Sequence, residues 1–139
     1  MNALTMLMDD HDRMKKLLNE LETTTERGVK TRAELFSTIK GELTIHEIIE
    51  EEIFYPELKA HPKARDIVLE GFQEHHVADL LVKELHEVAK DDERWGAKFS
   101  VLKENIEHHV EEEEGEMFTA ARSINMARRS DSLTARLSA

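Results

Sequence analysis

A chain of 139 residues with 19 Lys and Arg against 30 Asp and Glu has a formal charge of -11. That charge repels phosphate backbones and anionic lipid, which argues against nucleic acid or a membrane surface as partner. The length suits one domain with one core, and cysteine is absent, so thiolate sites, disulfides and cysteine nucleophiles are excluded and any metal must be held by nitrogen and oxygen.

The N-terminus, MNALTMLMDDHDR, meets charge at Asp9, which fits neither a signal peptide nor a spanning helix, so the expected location is cytoplasmic. Leu4, Leu7, Met8, Met14, Leu17, Leu18 and Leu21 recur at threes and fours. That spacing predicts a first helix over residues 2–25, fading in Thr23-Thr24-Thr25 before Gly28. A second is predicted over 31–58, with Leu35, Phe36, Ile39, Leu43, Ile45, Ile49, Ile53 and Phe54 inward and Pro56 marking a kink or last turn. His61-Pro62 breaks the chain. A third helix over 64–90 carries Ile67, Val68, Phe72, Val77, Leu80, Leu81, Leu85 and Val88, and Asp91-Asp92 separates it from a fourth over 93–124 with Trp95, Phe99, Leu102, Ile106, Val110, Met117 and Phe118. Four long helices joined by short polar loops predict an all-α, up-down-up-down antiparallel four-helix bundle over residues 1–124. Residues 125–139 have little apolar periodicity and are expected to be a tail or a short extra helix.

Eight histidines in so short a chain call for a reason beyond solubility. His46 and Glu50, His75 and Asp79, and His109 and Glu113 are each four apart, which on a helix puts both side chains on one face. A single such pair is commonly a surface ion pair. Three pairs on successive helices, with His11 on the first, point instead to a metal site in the bundle core, because all four histidines can be brought to one mid-bundle layer. The run Glu111 to Glu114 sweeps around its helix, so most of it is solvated, with Glu114 able to substitute for Glu113 if the helix is rotated. His108 and His76 are turned about 100° from their neighbours. Together with His61 and His86 they are expected at the surface or in a supporting role.

The segments DHDR around His11, HEIIEEEIFYPEL, EHHVADLL and HHVEEEEGEMF resemble, in that order, the signatures of the hemerythrin-like or HHE cation-binding domains, over about residues 4–120. The resemblance implies a bundle around a non-haem di-iron centre, with an oxo or hydroxo bridge, His11, His46, His75 and His109 as terminal ligands, and Glu50 and Glu113 bridging. Manganese or zinc would also suit such mixed donors. Oxygen-carrying members have a fifth histidine where this chain has Asp79. Asp79 is therefore a candidate additional ligand, and Glu47, directly after His46, is another, because HEIIEEE resembles a His-Glu-x-x-Glu arrangement of an iron-sensing hemerythrin-like domain. Extra carboxylate ligation favours ferric iron over reversible oxygen carriage.

The expected function is a metal-binding protein that senses iron, oxygen or redox state or handles iron. A di-iron enzyme acting on peroxide or nitrogen oxides, reversible binding of a diatomic ligand, and a purely structural bundle are the alternatives. Phe36, Phe54, Phe72, Phe99 and Phe118 are candidates for an apolar wall or for ordinary core. Tyr55 is expected either to hydrogen-bond a bound oxygen species or to cap the bundle.

Overall fold

Helix-forming residues dominate, and the helices stop where the sequence supplies turn chemistry. In the computed structural model, which describes residues 3–123, α1 spans Ala3–Glu22. It ends where the hydroxyls of Thr23 and Thr24 bond back to the carbonyls of Glu20 and Leu21, at 2.7 and 2.6 Å, an alternative to continuing the helix. The second long helix is α2, Val29–Ile49, continued by a π-helical stretch π1, Glu50–Phe54, and by α3, Tyr55–Lys59. After His61-Pro62 comes α4, Arg65–Glu87. Asp92 then caps α5, Glu93–Glu112, by accepting the Arg94 backbone N–H at 2.8 Å. A second π stretch, π2, Glu113–Met117, leads into α6, Phe118–Ser123.

Four long helical columns, with no strand among the described residues, make the expected all-α bundle. The first and third columns end about three residues before the predicted boundaries, at Glu22 and Glu87. Residues 125–139, expected as a tail or extra helix, lie outside the described residues. No helix among the described residues is long and apolar enough to cross a membrane.

The apolar core has two parts. One contains Met14, Leu18, Phe36, Ile39, Trp95, Phe99 and Leu102; the other contains Leu4, Leu7, Phe54, Tyr55, Leu58, Met117 and Phe118. Between them lies a buried polar layer of His11, His46, Glu50, His75, His109 and Glu113. At the far end of the first part, Phe36 meets Trp95 edge to face at 5.5 Å and Trp95 stacks on Phe99 at 5.7 Å. Arg32 is buried against this end. It donates to the carbonyls of Lys90 and Thr24 at 2.7 and 3.0 Å and lies 4.8 Å from the Trp95 ring, joining the loop after α1 to the turn between α4 and α5.

Four apolar residues of the predicted stripes face solvent: Met8, Ile45, Val77 and Leu80 are 38%, 61%, 44% and 52% exposed. His46, Glu47 and Glu50 take the inward positions on the second column, and His75, Ala78 and Val82 take them on α4. The helices are rotated to bury the polar layer, and the nearby apolar residues turn outward.

Candidate metal centre

The four histidines come from α1, α2, α4 and α5, and at each one the two ring nitrogens face different surroundings. The Nε2 atoms point into the layer, with His11 and His46 3.1 Å apart and His75 and His109 3.2 Å apart. Two glutamates, neither with any exposed surface, lie between these pairs. Glu50 Oε1 is 3.2 Å from His46 Nε2 and 3.1 Å from His75 Nε2. Glu113 spreads its two oxygens, with Oε1 3.0 Å from His11 Nε2 and Oε2 3.1 Å from His109 Nε2. The donor atoms thus form two clusters, one of His11, His46, Glu50 and Glu113 and one of Glu50, His75 and His109. Glu50 belongs to both, and Glu113 reaches from the first to His109.

Each outward Nδ1 meets a carboxylate on a neighbouring column. Asp10 of α1 approaches His46 at 3.4 Å, Glu51 of π1 pairs with His75 at 2.7 Å, Glu74 of α4 with His109 at 2.8 Å, and Glu114 of π2 with His11 at 2.7 Å. The four contacts close a ring around the bundle. A carboxylate that accepts the Nδ1 proton fixes the tautomer and leaves the Nε2 lone pair facing inward, as metal-ligating histidines require. None of these four was read from sequence as a partner of a particular histidine. Each stands next to a layer residue in the chain, in the doublets Asp10-His11, Glu50-Glu51, Glu74-His75 and Glu113-Glu114. The doublets are visible in the sequence, but the cross-helix pairing is not.

Inward lone pairs and two buried carboxylates repel one another unless positive charge lies among them. Glu50 Oε2 is buried with no hydrogen-bond partner, and Glu113 Oε1, though 3.0 Å from His11 Nε2, is buried out of line for a hydrogen bond. In the metal-free protein, protons supply the charge. Burial disfavours the charged form of His109, but Glu113, Glu50 and Glu74 outweigh it and raise His109 to about 12. His11 and His46 are raised against the same burial penalty, chiefly by Glu113 and Glu50 respectively. Burial likewise opposes ionisation of Glu113, yet its contacts with Glu50 and with the imidazoles of His109, His11 and His46 hold it well below the usual carboxylate range. Nitrogen and carboxylate oxygen donors, arranged in two overlapping sets, fit divalent metal ions of intermediate hardness.

A family model described as the Hemerythrin HHE cation binding domain matches residues 2–121. The chain belongs to that family. The HHE bundle is also similar to the crystal structure of a Hemerythrin HHE cation binding domain-containing protein, the Rv2633c homolog from Mycobacterium kansasii. The TM-score is 0.78 at 26% identity, covering 86% of this chain and 72% of the other. No match is found among curated proteins. The family and the His/Glu clusters together support cation binding.

All six residues predicted to line the site meet in this HHE domain, while the two additional candidates lie apart from the clusters. Asp79 is exposed and faces Glu47 from α4. Glu47 is 8% exposed, and its Oε2 has no hydrogen-bond partner. Burial first, then Asp79, Glu51 and Glu50, raise its carboxyl to about 9. Glu114 does not stand in for Glu113; it anchors His11 instead. Among the other histidines, His76, His86 and His108 are exposed and His61 is half-buried, as expected.

Tyr55 lies inside the site. Its hydroxyl donates to Glu113 Oε2 at 2.8 Å and is 3.2 Å from His109 Nε2, while its ring stacks on His75 at 5.4 Å. Phe118 occupies the matching place beside the other pair, stacked at 6.1 Å on His11. Each is the first residue after a π stretch, so the two halves of the site correspond, but only one has a hydroxyl. On the far side of the layer, a cavity walled by Met14, Leu43, Ala78, Ile106 and Val110 touches all four histidines.

Proposed function

We propose that this HHE domain holds a non-haem dinuclear iron centre and uses it to sense iron, oxygen or redox state or to handle iron. His11 and His46 would serve one metal position and His75 and His109 the other, with Glu50 and Glu113 spanning both. The observation that carries the reading is the orientation of the four imidazoles, with every Nε2 inward in two facing pairs and every Nδ1 met by a carboxylate. A structural bundle would not need that arrangement. When bound, iron would supply redox chemistry and affinity for small oxygen or nitrogen ligands.

The chain's own residues define what reaches such a centre. The cavity that touches the four histidines has aliphatic walls of Met14, Leu43, Ala78, Ile106 and Val110 interrupted by carboxylates such as Glu42 and Glu47, which suits a small polar ligand or a cation. Phe54 and Phe118 close the opposite side, 5.8 Å apart edge to face, whereas Phe36 and Phe99 are packed with Trp95 at the far end of the bundle. Tyr55 holds Glu113 by one of its oxygens. The four outer carboxylates increase the basicity of the imidazoles and thereby favour the more highly charged metal.

The same cavity supports a second reading, a di-iron enzyme acting on peroxide or nitrogen oxides, or reversible binding of a diatomic ligand. One experiment separates these. The protein is loaded anaerobically with ferrous iron, the metal is counted, and visible spectra are recorded on exposure to air and then peroxide. Two irons per chain and a stable oxidised spectrum are the expected result. Catalytic loss of peroxide at substoichiometric protein selects the enzyme, and a band that cycles with oxygen selects carriage. Unchanged metal content in both His109→Ala and Glu113→Ala would remove the site assignment.

A further inference from the structure

The layer residues are deeply buried: His11 is 2% exposed, and Glu50 and Glu113 have no exposed surface. A hydrated cation therefore reaches them only by exchanging its waters for protein oxygens along the way. The carboxylates around the layer are nearly all committed. Asp10, Glu51, Glu74 and Glu114 each meet a histidine Nδ1, and Glu50 and Glu113 lie inside. Glu47 is the buried exception. It faces Asp79 rather than a histidine, and its Oε2 is buried without any hydrogen-bond partner, an arrangement that costs a few kcal/mol unless something compensates.

Its position is informative. Glu47 lines the cavity that touches all four histidines, and it also lines a surface groove between α2 and α4 whose other residues include Thr44, Glu51, Glu52 and Asp79. It is common to both. The groove has no basic residue, while the adjoining groove on the other side of Asp79 has Lys40 and Lys83. A cation is thus drawn toward the side from which Glu47 leads inward.

We propose that Glu47, with Asp79 at the outer lip, is a transit site for a divalent cation passing from this groove to the histidine layer. Asp79 meets the hydrated ion and Glu47 replaces part of its water shell. The ion then moves into the cavity, where the Nε2 atoms of His46 and His75 receive it. No bond to Glu47 is kept at the end. This inference rests on the dinuclear reading, and its test separates the two.

Cobalt(II) is a suitable probe because its visible absorption reports its ligands and it is not oxidised during mixing. Filling is followed by stopped flow and the final content by equilibrium dialysis, in the parent, Glu47→Gln, Asp79→Asn and Glu34→Gln. The last removes one exposed charge on α2 away from the groove. Glu47→Gln and Asp79→Asn are expected to reach the parent metal content about tenfold more slowly, with the difference shrinking at high salt for the exposed Asp79, while Glu34→Gln fills at the parent rate. Parent-like filling of both groove variants overturns the transit site and leaves the dinuclear reading intact. So does equal slowing in Glu34→Gln, which would make the effect one of net charge. Lower final content in Glu47→Gln also overturns it, by making Glu47 a permanent ligand. A parent that takes up no cobalt and no iron removes the dinuclear reading itself. Asp79→Asn alters only an exposed side chain and serves as the test if Glu47→Gln fails to fold.

Discussion

His109 shows how one side chain here serves two environments. Its Nδ1 is held by Glu74 at 2.8 Å, while its Nε2 lies 3.1 Å from Glu113 and 3.2 Å from His75. In the metal-free protein a proton occupies this position, and the sign of the pH dependence follows. Histidines raised above 6.5 contribute stability that is complete below 6.5 and is lost as pH rises toward their folded values, about 12 for His109. Glu50 and Glu113, lowered from 4.5, contribute stability that is complete above 4.5 and is lost as pH falls through their folded values. Denaturant melts of metal-free protein should therefore show greatest stability between these limits and a decline on either side. Metal must displace the imidazole protons, so loading in weak buffer at pH 7 should release protons, and apparent affinity should rise with pH. A pH-stat titration that records no release would exclude the histidines as ligands. Tyr55→Phe removes the donor to Glu113 and should cost the metal-free protein about 1–3 kcal/mol, measured by urea unfolding.

At the scale of elements, the π stretches set the site. Glu50 and Glu113 are the first residues of π1 and π2, and the backbone N–H groups of Tyr55 and Phe118 reach back to the carbonyls of Glu50 and Glu113. This wider bonding brings the fifth residue onward, not the fourth, over the starting glutamate. Tyr55 is consequently buried while Ile53, expected inward from a 3.6-residue repeat, is only half-buried. Gly71 of α4 makes room for the phenol, since a Cβ there would lie 3.0 Å from its oxygen and 3.1 Å from the ring carbon bearing it. Gly71→Ala should displace Tyr55, and the loss should be smaller in a Tyr55→Phe background, giving a coupling of about 0.5–3 kcal/mol in a double-mutant cycle. Additive costs would show that the two do not act together. At the opposite end, Arg32→Ala removes charged hydrogen bonds to Thr24 and Lys90. It should cost about 2–3 kcal/mol in thermal or urea melts with metal content unchanged, because the polar layer lies elsewhere.

For the whole molecule, the polar layer divides an otherwise apolar core in two, so metal and fold are coupled. Stripping metal leaves buried carboxylates dependent on protons alone, and reloading at about a hundredfold excess over the dissociation constant should raise Tm by on the order of 10 °C. Calorimetry with and without chelator checks this; an unchanged Tm would mean that the layer is held together without metal.

The amino-acid sequence by itself determined the four helical columns, since local propensity and 3.6-residue spacing act over neighbouring residues. It also marked His11, His46, Glu50, His75, His109 and Glu113 as a set, because a turn-apart spacing repeats on successive helices. Only the tertiary structure decided which way each column is rotated, and so why Ile45 and Val77 face water. It likewise decided that Asp79 stands at a groove, that Glu47 is buried without a histidine, and that Asp10, Glu51, Glu74 and Glu114 each meet a histidine on a neighbouring helix. Those relations depend on the angle between packed helices and on a local change from α to π bonding, neither of which is expressed in the spacing of residues along one chain segment.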